Sequence, residues 1–98
     1  SLEQIILNKE DLDYIKSNAN NRILNVFLDE LTELKNQDKI ELSTIIKSIQ
    51  NKIECSPKDI WKTIRLVLTG QHHGPSLNDI INIYGINKVI VLLKNYAK

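Results

Sequence analysis

The sequence predicts a small, single-domain, all-α fold of five to six short helices. Apolar residues recur at spacings of three and four along most of the chain, and helix-opening and helix-closing residues punctuate those runs. No stretch alternates as a half-buried strand would. At 98 residues the chain is long enough for one core and too short for a second of comparable size.

Asn8 can cap a first helix with Asp11 at its third position, after which Leu12, Ile15 and Ala19 share a face. From about residue 21 to about residue 35, Ile23, Leu24, Phe27, Leu28, Leu31 and Leu34 oppose Asn25, Asp29, Glu30, Thr32 and Glu33. A loop near residues 36–39 leads to a third helix with Leu42, Ile45, Ile46, Ile49 and Ile53 inward. Its outer face, Lys47, Ser48, Gln50, Asn51 and Lys52, reads as solvated.

Ser56-Pro57-Lys58-Asp59 is a helix start. Ser56 is a good cap, Pro57 fits a position that needs no amide donor, and Asp59 complements the helix N-terminus. Ile60, Trp61, Ile64, Val67 and Leu68 then share an arc of roughly 120° and are expected in the core, while Lys58, Lys62 and Arg65 form a cationic stripe about 60° wide on the far side. Gly70 is the expected left-handed terminator. Ser76 with Asp79 makes a second capping box, opening a helix with Leu77, Ile80, Ile81 and Tyr84 inward and Gly85 at its end. Asn87 can cap a last helix with Val89, Ile90, Leu92, Leu93, Tyr96 and Ala97 inward and Lys88, Lys94 and Lys98 outside. There is no internal repeat and no low-complexity segment.

The composition, 42% hydrophobic and 26% charged, is that of a soluble globular protein, and no apolar run approaches the roughly 20 residues that span a bilayer. The N-terminus lacks the basic start and apolar length of a signal peptide, and the lone Cys55 can form no internal disulfide, so a cytoplasmic setting is expected. The 16 Ile and 11 Asn are ascribed to coding bias and given no functional weight. The net charge of +1 hides an asymmetry: residues 1–54 hold seven Lys/Arg and ten Asp/Glu (7 − 10 = −3), and residues 55–98 hold six and two (6 − 2 = +4). The basic half suits a polyanionic partner.

His72-His73 lacks the further ligands and spacing of a metal site and reads as two polar loop residues. A helix N-terminus could lower the pKa of Cys55, but no histidine is near it in sequence, and a structural cysteine is the better reading. Trp61 and Tyr84 could stack on bases, yet both fall in apolar stripes and are assigned to the core. Residues 70–76 differ: their backbone amides hang between two helix ends beside Lys58, Lys62 and Arg65, which suits a nucleic-acid backbone with one or two exposed bases. A free-standing helical protein-interaction module would account for the amphipathic helices but not for that loop and stripe. A hydrolase built on either histidine would lack a partner nucleophile.

The segment IRLVLTGQHHGPSLNDIINIYG resembles the C-terminal anticodon-binding region of bacterial-type glutamyl-tRNA synthetases. Arg65, Thr69-Gly70, Gly74-Pro75, Leu77 and Tyr84-Gly85 stand at the positions of that pattern. The likeness is specific over about residues 56–93 and general, in helix order and length, over residues 10–54. Thr63 stands where many members have proline, and Ile86-Asn87 replaces a charged pair. The resemblance implies a helical cage around the anticodon arm of tRNA: one domain over residues 1–98, with a support half (1–54) and a basic half (55–98) whose loop 70–77 touches RNA. Gly74, Pro75 and Leu77 carry over as the base-contacting set, with Ser76 by adjacency alone. Lys58, Lys62 and Arg65 join them as tRNA-binding cations, although Arg65 could equally bond loop carbonyls.

The parent enzyme so implied is a class I aminoacyl-tRNA synthetase, a glutamate-tRNA ligase. It activates glutamate with ATP and Mg and transfers it to tRNA(Glu); whether tRNA(Gln) is also accepted is left open. Its Rossmann-type catalytic domain carries HIGH-like and KMSKS-like signatures, and neither occurs in these 98 residues. The fragment is therefore expected to select tRNA without catalysis, cofactor or metal of its own, beside the catalytic domain of the parent chain.

Overall fold

The computed structural model describes residues 5–98, which form six helices in chain order: α1 (Lys9–Lys16), α2 (Asn18–Glu33), α3 (Leu42–Lys52), α4 (Pro57–Thr69), α5 (Leu77–Tyr84) and α6 (Ile86–Lys94). No strand occurs among the described residues, and no helix there is long and apolar enough to cross a membrane. The first four residues, part of the signal-peptide reading, lie outside them.

Local capping sets the boundaries. Asn8, Ser17, Ser56 and Ser76 each accept, through a side-chain oxygen, the backbone N–H three residues on, satisfying an amide that has no partner within its helix. Ser17 both closes α1 and caps α2, so the two helices abut without a loop. Ala19 is consequently an exposed residue of α2 and not part of α1's inward face. Gly85, at φ +84°, likewise ends α5 and starts α6 at once, which places the expected cap Asn87 inside α6 instead of before it.

α2 and α4 form the centre. α4 packs on α1, α2, α3 and α6, and α2 packs on α1, α3, α4 and α6. Phe27, Leu31, Ile60, Ile64, Leu66 and Val67 are wholly buried between them and their neighbours. Asparagines that composition alone left without a role strap the segment leading into α3 to α5, and the segment after α6 to α2. Asn78 and Asn82, one turn apart on α5, accept from the Leu42 and Ile40 N–H groups at 2.9 and 3.0 Å, and Asn82 also donates to the Ile40 carbonyl at 3.0 Å. Asn21 on α2 donates to the Tyr96 carbonyl at 3.0 Å, fixing the segment after α6. Peptide groups outside helices thereby find the partners that burial demands.

Candidate nucleic-acid interface

α4 is fastened at its N-terminal end by a compact polar cluster. Ser56 Oγ accepts from the Asp59 N–H at 3.1 Å and donates to Asp59 Oδ2 at 3.0 Å, while the Tyr14 hydroxyl, reaching from α1, donates to Asp59 Oδ1 at 2.5 Å. Hydrogen bonds from Tyr14 and then Ser56 hold the Asp59 carboxyl below its usual range. Burial, seconded by the bond to Asp59, pushes the Tyr14 hydroxyl up to about 12. Lys62, one turn after Lys58, lays its ammonium over the Tyr14 ring, 4.2 Å from the centroid. Cys55 just before this cluster is half-buried, and burial pushes its thiol up, so the helix terminus does not activate it.

The chain then turns back along α4. Gly70 takes the left-handed conformation at φ +72°, and a Cβ there would lie 2.6 Å from Ile5 Cγ2. Thr69 Oγ1 accepts the Gln71 N–H at 3.0 Å. His72 Nε2 lies 3.0 Å from Asp11 Oδ1 on α1. Arg65 Nη1 donates to the Pro75 carbonyl at 2.9 Å, and a Cβ on Gly74 would meet the same nitrogen at 3.4 Å. Ser76 completes the return by capping α5. The loop is thus pinned to α4, α1 and α5, leaving Gly74 and Pro75 exposed at its tip.

Between helix and returning loop lies a groove of about 340 Å³ lined by Lys58, Trp61, Lys62, Arg65, His72 and His73. The structure therefore brings Lys58, Lys62 and Arg65 together, as their spacing predicts, beside the Gly74-Pro75 turn. Arg65 bonds the loop at the Pro75 carbonyl and also lines the groove.

Two expectations need correcting. Leu77 is only 2% exposed, so its side chain sits in the core beneath the loop and is not presented to a base. As the first residue of α5 it points inward with Ile80 and Ile81, in keeping with the stripe that the spacing predicts. Trp61, assigned to the core, is 39% exposed and lines the groove. The reason is visible on a helical wheel: Leu66 and Thr63 are fully buried, which moves the centre of the inward arc away from Trp61 and leaves the indole about 40° from Arg65. Counting Leu66 with the core would have exposed this. The Asp11–His72 contact, which spans 61 residues, left no local signal.

Fold and groove together define a small helical domain with an aromatic, cationic surface suited to a polyanion. The anticodon binding domain family matches residues 3–96, and the chain belongs to that family. It is 37% identical over 67 residues to glutamate–tRNA ligase 1 of Pseudothermotoga lettingae, a stretch that covers 68% of this chain and 14% of that one. It is 33% identical over 82 residues to glutamate–tRNA ligase of Finegoldia magna, covering 84% and 16%. A glutamate–tRNA ligase of Staphylococcus xylosus is 29% identical over 95 residues, covering 97% and 79%. The chain thus spans a small fraction of the length of the first two relatives. No solved structure gives a significant match.

Proposed function

We propose that this domain selects tRNA for a glutamate–tRNA ligase by gripping the anticodon arm of tRNA(Glu) in the groove between α4 and the loop 70–76. The observation that carries this is the meeting of Lys58, Lys62 and Arg65 in one groove beside the exposed Gly74-Pro75 turn. Lysines there attract phosphate whatever the sequence, and they fix the arm's register. Gly74 offers backbone without a side chain, and Pro75 offers a flat apolar face; together they suit splayed, unpaired bases. Arg65 holds the turn in place by its bond to the Pro75 carbonyl while keeping its charge in the groove. Glutamate activation with ATP and Mg belongs to a catalytic domain outside these residues, in the cytoplasm where tRNA is charged.

Paired titrations of cognate and anticodon-swapped tRNA at several salt concentrations test the reading. Lys58→Ala should weaken both tRNAs equally and flatten the salt dependence by about 0.7 to 0.9 per lost contact. Pro75→Ala should instead reduce the preference for the cognate anticodon by roughly 1 to 3 kcal/mol with the salt slope unchanged. Equal losses on both tRNAs from Pro75→Ala, with an altered slope, would remove the turn from the reading surface.

A further inference from the structure

Trp61 is the one large apolar side chain of α4 that the core does not take. Ile60, Ile64, Leu66, Val67 and Leu68 are wholly buried, whereas the indole is 39% exposed. It forms a wall between two grooves. One is the cationic groove with Lys58, Lys62 and Arg65; the other, of about 330 Å³, is lined by Lys39, Glu41, Leu42, Ser43, Trp61 and Asn78. Among the described residues that line the two grooves, three cations on one flank and one on the other make four, against the single carboxylate of Glu41. An apolar partner surface would be badly matched to such a rim, because each ammonium buried against it would lose its hydration without a counter-charge. A π-face flanked by cations instead fits a nucleotide, whose base stacks while its phosphates are neutralised on either side.

We propose that Trp61 is a stacking platform for one unpaired base of an RNA loop, whose backbone crosses the indole from the Lys39 side to the Lys58–Lys62 side. This rests on the tRNA reading above and adds to it a base contact outside the Gly74-Pro75 turn. Stacking requires a free base face, so the platform accepts looped RNA and rejects a closed duplex. Glu41, on the Lys39 side, keeps phosphate from settling deep in that groove and leaves its floor to a base edge.

Trp61 is the only tryptophan of the chain, so its emission reports the site without labelling. A stem-loop RNA with the anticodon arm of tRNA(Glu) should quench that emission saturably, and a blunt duplex of the same composition should not. Trp61→Ala should weaken stem-loop binding by about 5- to 150-fold with an unchanged salt slope, while Trp61→Phe, which keeps a stacking ring, should retain most of it. Circular dichroism of both variants confirms that α4 is intact. If Trp61→Ala binds within twofold of wild type and the emission does not move, while Lys58→Ala still weakens binding, the platform is overturned and the tRNA reading stands; the indole is then left to a protein partner. If the wild-type chain fails to bind the stem-loop and intact tRNA alike, both readings fall together.

Discussion

Replacing Tyr14 by Phe removes a single hydroxyl, the one that donates to Asp59 Oδ1 at 2.5 Å, and leaves the ring that carries Lys62 in place. A rise from 10.0 to about 12 corresponds to about 2.7 kcal/mol between the protonated and ionised hydroxyl. Its leading cause is burial, which penalises the tyrosinate alone and adds nothing near neutral pH, so only the hydrogen bond to Asp59 counts toward stability there. A hydrogen bond to a charged group is worth about 1.5 to 3 kcal/mol when buried, and the partial exposure here reduces the expected cost to about 1 to 2 kcal/mol. For a domain of this size that lowers Tm by about 4 to 15 °C. The pH dependence gives a sharper signature. The Tyr14 value is raised, so its contribution is complete below about pH 10 and is lost as pH climbs toward 12. The Asp59 value is lowered, so its contribution is present above the ordinary carboxylate range and is lost as pH falls through the folded value. Urea titrations of both proteins across pH should show a difference that is widest near neutrality and narrows at both ends. A difference absent at pH 7, or constant from acid to alkali, would refute the coupling. tRNA affinity should change less than twofold, because Lys62 keeps its aromatic seat.

Gly70→Ala should cost about 1 to 3 kcal/mol, measured by urea denaturation, because the left-handed backbone strains any side chain and the new methyl meets Ile5. Leu77→Ala should cost about 2 to 4 kcal/mol by cavity formation, and any lost tRNA preference should track the lost stability and recover on cooling; a loss of anticodon discrimination in a variant of native stability would return Leu77 to the reading surface. Asn82→Ala breaks both bonds to Ile40 and should speed amide hydrogen exchange at Ile40 while leaving α4 protected.

Features written in a few adjacent residues were legible in the sequence, and features made by distant residues were not. The caps at Asn8, Ser56 and Ser76 and the stop at Gly70 depend on a side chain and an amide three residues away or on one glycine's φ, so their residue types announce them. The cationic stripe follows from helical spacing alone. The junction at Ser17 escaped because one serine serves two helices, so the usual loop composition never appears between them. Trp61 lies at the edge of the arc it shares with Ile60, Ile64, Val67 and Leu68, where spacing alone does not say which side is wet, whereas the inward place of Leu77 was legible in its stripe and only the resemblance had set it against a base. The Asn78 and Asn82 straps join residues 36 and 42 apart, a distance no periodicity reports.

The many fastenings of the loop 70–76 bear on the thermodynamics of association. With Arg65 on the Pro75 carbonyl, Asp11 on His72, Thr69 on Gln71 and Ser76 capping α5, most of the turn's conformational freedom is surrendered during folding. Little remains to be lost when RNA arrives, and the ordering cost of about 0.5 to 1.5 kcal/mol for each mobile side chain falls chiefly on Lys58. Free and bound turns should therefore share one shape, and substitutions at the tip should register in the rate of departure more than in the rate of encounter.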